Sequence, residues 1–294
     1  MTSKVFLHIG LQKTGTTFLQ QQVFPRFEGV SYMKKRFRPR LLLEGHDTFL
    51  VSNEWILGSP LGSRSTSWLD DHRRALEKLG KLAPDTRLIV CFRRHSDLLV
   101  SLYKQYLHEG GTATIHEFFD PKSDSGWIKP RDLFFYPRIK WIEEHFQHRP
   151  FVFLFDEIWK HLQSLIDEMG ELLGADVPSV DELDRETKNP GVRYYQGKLL
   201  RYLNKISEPL HLKNRWTLAL GIDPRSLCQQ RLGFLSERPI ELEQDVVACI
   251  EDMYSEDWEL VEDYVESTRG VEISSMPTNE QVSVHETDRN HNRL

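Results

Sequence analysis

A short apolar run, Lys4-Val5-Phe6-Leu7-His8-Ile9, stops at Gly10. A polar turn with a second glycine, Leu11-Gln12-Lys13-Thr14-Gly15, then leads into a helical stretch from Thr16 to Phe24. This succession constrains the fold more than any other part of the chain. A run that stays apolar at consecutive positions suits a strand buried on both faces of a parallel sheet. Pro25 is expected to stop the helix, because a proline inside it would remove a backbone donor. Parallel strands are joined by crossovers, so further strands must alternate with helices along the chain.

They do. Thr48-Phe49-Leu50-Val51-Ser52 reads as a second strand, Arg87-Leu88-Ile89-Val90-Cys91-Phe92 as a third, and Phe151-Val152-Phe153-Leu154-Phe155 as a fourth. After the third strand, Ser96 is placed to cap a helix running to about His108, with Asp97 in its first turn to complement the dipole. After the fourth, a helix is expected from Ile158 to Leu173, closing at Gly174. From Tyr194 to Asn204 and from Leu242 to Glu266 the pattern is helical with no further strand. The expected fold is α/β: three layers, a mainly parallel central sheet with helices on both faces, and a helical C-terminal part.

The chain has 294 residues with 39% apolar and 28% charged, enough for a sizeable core, so wholesale disorder is excluded. One domain over residues 1–273 is expected, followed by a polar, disordered tail over 274–294 in which His285 and His291 carry no metal. The formal net charge is −6, which argues against a general nucleic-acid binder but leaves room for a local basic patch. Three cysteines, Cys91, Cys228 and Cys249, are too few and too scattered for a disulfide scaffold or a zinc knuckle. There is no run of 18 apolar residues and no charged-then-apolar leader, so a soluble cytoplasmic protein without a transmembrane segment is expected.

Gly10 to Thr17 lies where a turn aims backbone N–H groups and a helix N-terminus at one point, which is an anion site. Gly15 lets the backbone approach the anion, Thr16 and Thr17 add hydroxyls, and Lys13 adds a full charge. Loops that hold nucleoside triphosphates read Gly-x-x-x-x-Gly-Lys-Ser/Thr. Gly10 and Gly15 have that spacing, but Thr16 occupies the lysine position and the lysine sits two residues before the second glycine. A glycine-containing turn with no ligand is the plain alternative. Arg93 emerges at the carboxyl end of the third strand, where ligands bind in this architecture, and Ser101 follows eight residues later. An arginine and a serine near a helix start can hold a second phosphate, whereas an isolated arginine would pair with Asp97. Two separate phosphate sites fit a nucleotide phosphorylated at both its 5′ and 3′ ends better than a linear triphosphate.

With both motifs in hand, the sequence resembles the sulfotransferase family, whose fold is like that of P-loop NTPases. His8-Ile9-Gly10-Leu11-Gln12-Lys13-Thr14-Gly15-Thr16-Thr17 looks like its loop for the 5′-phosphosulfate of 3′-phosphoadenosine 5′-phosphosulfate (PAPS), and Arg93 through Tyr103 looks like its 3′-phosphate motif. His95 stands where the family usually has proline. Phe151 to Gly174, Leu199 to Asn204 and the stretch around Tyr254 to Asp257 are similar to later parts of bacterial members, so the likeness spans roughly residues 4–272. The resemblance implies that Lys13 and the amides of Thr14, Gly15, Thr16 and Thr17 bind the 5′-phosphate. Lys13 would also stabilise charge on the bridging oxygen, and Arg93 and Ser101 would hold the 3′-phosphate. It implies in-line transfer of a sulfuryl group to an acceptor hydroxyl or amine of a carbohydrate or small metabolite, with 3′-phosphoadenosine 5′-phosphate (PAP) as product and no metal. A P-loop nucleotide or small-molecule kinase, opposed by Thr16, and a non-catalytic nucleotide-binding scaffold are the alternatives.

Activating the acceptor needs a base at the mouth of the sheet. Glu54 directly follows the second strand, and carbohydrate sulfotransferases resemble this in using a glutamate near the phosphosulfate; the alternative is a glutamate that only caps or pairs. His8, which interrupts an apolar strand, is the rival base, against a purely structural histidine. The stretch Lys34-Lys35-Arg36-Phe37-Arg38-Pro39-Arg40 carries five basic residues in seven, able to gather an anionic acceptor or to stand simply as a solvated loop. Asp120 to Trp127 reads as a mobile loop in which Trp127 either stacks on a sugar or anchors the loop to the core.

Overall fold

The structure is a computed structural model and describes residues 4–34, 47–61, 67–184, 193–207 and 238–272. The basic residues from Lys35 to Arg40, and the tail from 274 onward, lie outside the described residues.

Five strands, β1 (Lys4–His8), β2 (Ser31–Lys34), β3 (Thr48–Ser52), β4 (Arg87–Phe92) and β5 (Phe151–Leu154), form one sheet in the order β2-β3-β1-β4-β5. Every pairing is parallel, with His8 opposite Ser52 on one side and Ile89 on the other. The apolar runs expected to be strands form β1, β3, β4 and, at one edge, β5. β2 was not expected, because four residues ending in a basic stretch give no long apolar run. It pairs with β3 as an edge strand, its Ser31 and Met33 buried and its Tyr32 and Lys34 half-buried.

Strand alternation divides the core in two. Leu7, Leu88, Val90, Phe92 and Val152 face one side of the sheet, and Phe6, Ile89, Cys91, Phe151 and Phe153 face the other. Because successive strand residues point to opposite faces, a strand apolar at every position requires a helical layer on each side. On the first face lie α2 (Trp68–Leu82), α3 (His95–His108), α5 (Tyr136–His145) and the long α9 (Gln244–Glu272), with α8 (Tyr194–Ser207) packed on α3. α4 (Ile115–Phe118) is a single turn between α3 and α5. On the second face lie α6 (Glu157–Lys160), α7 (Leu162–Leu173) and the helical segment after β1. The helix expected from Ile158 to Leu173 is thus two helices broken at His161, ending at Gly174 as expected.

The segment after β1 departs from a regular helix. One α turn, α1 (Thr16–Phe18), widens into a π-helical stretch (Leu19–Val23) and tightens into a 3-10 turn (Phe24–Arg26). Pro25 therefore sits inside the last turn instead of ending the helix before it. It is tolerated there because the missing N–H falls near the start of a new turn. Within the widened stretch Leu19, Gln20, Gln22 and Val23 are all buried, so a polar side chain as well as apolar ones turns inward.

A buried cation ties the first helical layer together. Arg138 donates from Nε to His72 Nδ1 at 2.8 Å and from Nη2 to the Asp132 carbonyl at 2.6 Å, and a further N–H reaches the Phe134 carbonyl. Burial lowers its pKa to about 10, a fall held in check by the carboxylates of Asp132 and Asp257. Asp132 accepts from Ser67 Oγ and from Leu69 N, capping α2 from a distance, while Asp257 of α9 accepts from Phe135 N (2.8 Å) and Tyr136 N (3.0 Å) at the start of α5. With both carboxylates bonded to backbone donors, the cation is buried at a tolerable cost.

The same cluster fixes the beginning of α3. His95 stacks between Phe135 and Tyr254, each 4.4 Å away, with Nε2 at 3.5 Å from Asp257. α3 accordingly begins at His95 after Arg94, whose side chain makes no capping bond, so the expected cap by Ser96 is corrected. The packing of the His95 ring between two aromatics supplies the fixed start that a capping hydroxyl would have provided.

Candidate functional site

All strand carboxyl ends open on one edge of the sheet, and a cavity of about 1000 Å3 lies there. Its walls come from the turn after β1, the turn after β3, the start of α3 and the residues after β5. Of the residues named from sequence, Lys13, Gly15, Thr16, Thr17, Glu54, Arg93 and Ser101 line it together. Thr14 and His8 do not.

The loop after β1 is held in an uncommon backbone conformation. Lys13 has φ +69° and Gly15 φ +77°, both in the left-handed region. Gly15 is required twice over, since a Cβ there would stand 2.6 Å from Ile158 Cδ1 and 3.4 Å from the Phe155 ring. Lys13 adopts the same region with a side chain, which costs about 1–2 kcal/mol and marks a conformation imposed by its surroundings. Thr14 is buried with its hydroxyl donated to the Leu11 carbonyl, closing the turn. The carbonyl of Gly15 receives the amides of Phe18 (2.9 Å) and Leu19 (3.2 Å). The amides of Gly15, Thr16 and Thr17 find no backbone acceptor among the described residues, leaving them available at the cavity wall.

Arg93 joins the two motifs physically. Its Nη1 donates to the Lys13 carbonyl at 3.2 Å, its guanidinium carbon lies 4.2 Å from the centre of the Phe155 ring, and its Nε is buried with no partner among the described residues. The guanidinium thus both braces the loop after β1 and holds an unused donor. Lys13 has its pKa drawn down by desolvation and by Arg93, and partly restored by the charge of Glu54. Glu54, half-buried, begins the turn after β3; Asn53 N donates to the His8 carbonyl at 3.0 Å, carrying the strand pairing right up to it. Trp55, beside it, is 52% exposed at the cavity rim.

His8 lies behind the loop. Its ring is fully buried against Phe24, and Nδ1 meets Ser52 Oγ at 2.8 Å, while Gln20 Nε2 donates to the same hydroxyl at 2.9 Å. The ring, the Ser52 hydroxyl and the Gln20 amide thus form one buried hydrogen-bonded chain. Burial pushes its pKa down to about 3. A Cβ on Gly10 would stand 2.9 Å from Nε2 and 2.5 Å from Thr16 Oγ1, so these two polar atoms converge on the one spot a side chain at position 10 would fill. The ring does not itself line the cavity, though Thr16, which shares that spot with it, does. Trp127 is likewise settled by packing: it is half-buried, 5.0 Å from the Tyr106 ring, and belongs to the first core, where it anchors its loop.

Sequence reading missed several wall residues. Phe155 and Trp159, from the β5–α6 junction, line the cavity beside the loop, Phe18 lies 5.7 Å from the Trp159 ring, and Lys104 stands one turn beyond Ser101 on α3. The period of α3 carried the signal for Lys104, because positions 97, 101 and 104 share one helix face. Among the described residues no group of three or more His, Cys, Asp or Glu side chains is placed to hold a metal ion, and no helix is long and apolar enough to cross a membrane.

No protein-family model matches the chain, and no curated protein matches it. Among solved structures it is similar to a sulfotransferase from Alicyclobacillus acidocaldarius, at 12% identity and a TM-score of 0.42. That likeness covers 72% of this chain and 97% of the other.

Proposed function

We propose that the chain is a sulfotransferase that moves the sulfuryl group of PAPS to an acceptor hydroxyl or amine. The observation that carries this reading is the bond between Arg93 Nη1 and the Lys13 carbonyl, which makes two sequence-distant phosphate motifs one continuous wall of a single cavity. A donor phosphorylated at both ends is what such a wall matches, with a loop of free amides for one phosphate and the cavity-lining Arg93 and Ser101 for the other.

In this reading the amides of Gly15, Thr16 and Thr17 and the ammonium of Lys13 bind the 5′-phosphosulfate, while Arg93 and Ser101 bind the 3′-phosphate. The acceptor oxygen or nitrogen attacks sulfur in line with the bridging oxygen. The new bond to sulfur forms as the bond from sulfur to the bridging oxygen breaks, and PAP leaves with the electron pair. Lys13 stabilises the charge that grows on that oxygen, and Glu54 takes the acceptor proton. As in phosphoryl transfer, the work is positioning and electrostatic stabilisation. Glu54 is the base in this assignment because it lines the cavity, and His8 is a positioning residue because it does not. The acceptor is a carbohydrate or small metabolite, and the protein works in the cytoplasm.

Titration calorimetry with PAP, against ATP plus magnesium, tests the reading. Tight binding of PAP without metal is expected, followed by sulfuryl transfer from PAPS in an acceptor screen. Preference for ATP and magnesium would replace it with a kinase. Binding of neither nucleotide would leave a scaffold.

A further inference from the structure

The cavity contains a cation that none of these roles uses. Lys104 lies on α3 three residues beyond Ser101 and seven beyond Asp97, on the helix face that lines the cavity. Lysines on the outer surface reach carboxylates closely, as Lys140 does Glu143 at 2.7 Å and Lys160 does Asp156 at 2.9 Å. Lys104 is half-buried instead and makes no hydrogen bond or ion pair among the described residues. Three cations, Lys13, Arg93 and Lys104, therefore converge on one space, and none of them is in an ion pair among the described residues. Desolvation and the charges of Arg93 and then Lys13 all lower the pKa of Lys104, against the smaller help of Asp97 and Glu241. Such an arrangement is costly when empty and is relieved by a bound anion.

We propose that Lys104 is a further residue of the 3′-phosphate site, contacting that phosphate from the helix turn beyond Ser101. This rests on the nucleotide reading above. Its place beside Ser101, with Arg93 as its foremost charged neighbour, favours the 3′-phosphate over the 5′ group held by the loop. The sequence motif, an arginine eight residues before a serine, is thereby extended by one helical turn, and the 3′-phosphate meets two full charges and a hydroxyl.

The test is calorimetry of the full chain with PAP and with AMP, which lacks the 3′-phosphate. Lys104→Met keeps the length of the side chain and removes the charge; it is expected to weaken PAP about tenfold or more, with AMP changed less than about twofold. Lys104→Arg is expected to recover most of the PAP affinity, which separates loss of charge from a packing defect. Equal weakening of both nucleotides, or no weakening of either, overturns the assignment. Unchanged nucleotide binding with a raised acceptor KM also overturns it, and moves Lys104 to the acceptor. If the unsubstituted protein itself binds PAP no better than AMP, the two-phosphate reading fails first and takes this role with it.

Discussion

Gly15→Ala carries two separable costs. At φ +77° an alanine pays about 1–2 kcal/mol for the left-handed backbone. Its methyl would lie 2.6 Å from Ile158 Cδ1, and Ile158 is 0% exposed, so its side chain must repack within the core to make room. Forcing that overlap adds about 1–3 kcal/mol, while removing a glycine from the unfolded chain returns about 0.4–1 kcal/mol. The net destabilisation expected in urea unfolding is about 1–4.5 kcal/mol. Ile158→Val deletes the clashing Cδ1 and by itself costs about 0.5–1.5 kcal/mol. Combining the two should remove the overlap and leave the backbone cost plus that of Ile158→Val, so the double-mutant cycle should show a favourable coupling of about 1–3 kcal/mol. Calorimetry with PAP should follow the same order: weakest in Gly15→Ala, partly restored in the double variant, because displacement of the Gly15 amide is what the methyl causes. Strict additivity of the two substitutions, or a Gly15→Ala cost below about 1 kcal/mol, would refute the assigned loop geometry.

Glu54→Gln should lower turnover about 100-fold or more while leaving PAP affinity unchanged in calorimetry; unaltered turnover removes Glu54 as the base. Arg93→Lys keeps the charge but loses the planar donor that meets the Lys13 carbonyl and the face stacked on Phe155, so PAP affinity should fall about tenfold in the same assay. His8 has a folded pKa of about 3, below that of the unfolded chain, so the unfolded chain takes the proton first and acid destabilises the fold. Between pH 7 and pH 5 this contributes roughly 2 kcal/mol of lost stability, starting near pH 6.5. His8→Asn should lose correspondingly less in urea unfolding over that range, and an identical loss in both proteins would show that His8 is not buried neutral.

What could be read in the chain was whatever neighbouring residues determine together. β1, its phosphate loop, β4 and the Arg93–Ser101 spacing are local, because a doubly buried strand is apolar at every position and a loop's donors lie side by side in sequence. Those segments pointed to the parallel α/β sheet and to part of the cavity wall before any contact was known. Tertiary structure decided what depends on distant partners. Ser31–Lys34 became a strand because β3 offered an open edge, and α3 began at His95 because Asp257, 162 residues on, and two aromatic rings hold its side chain. In the sequence Glu54 was the favoured base and His8 its rival. Strand alternation then put His8 behind the loop against Ser52, 44 residues away, while Glu54 follows the end of β3 and faces the cavity. Burial and pairing across such separations are properties of the packed sheet and helices, and no short stretch of sequence encodes them by itself.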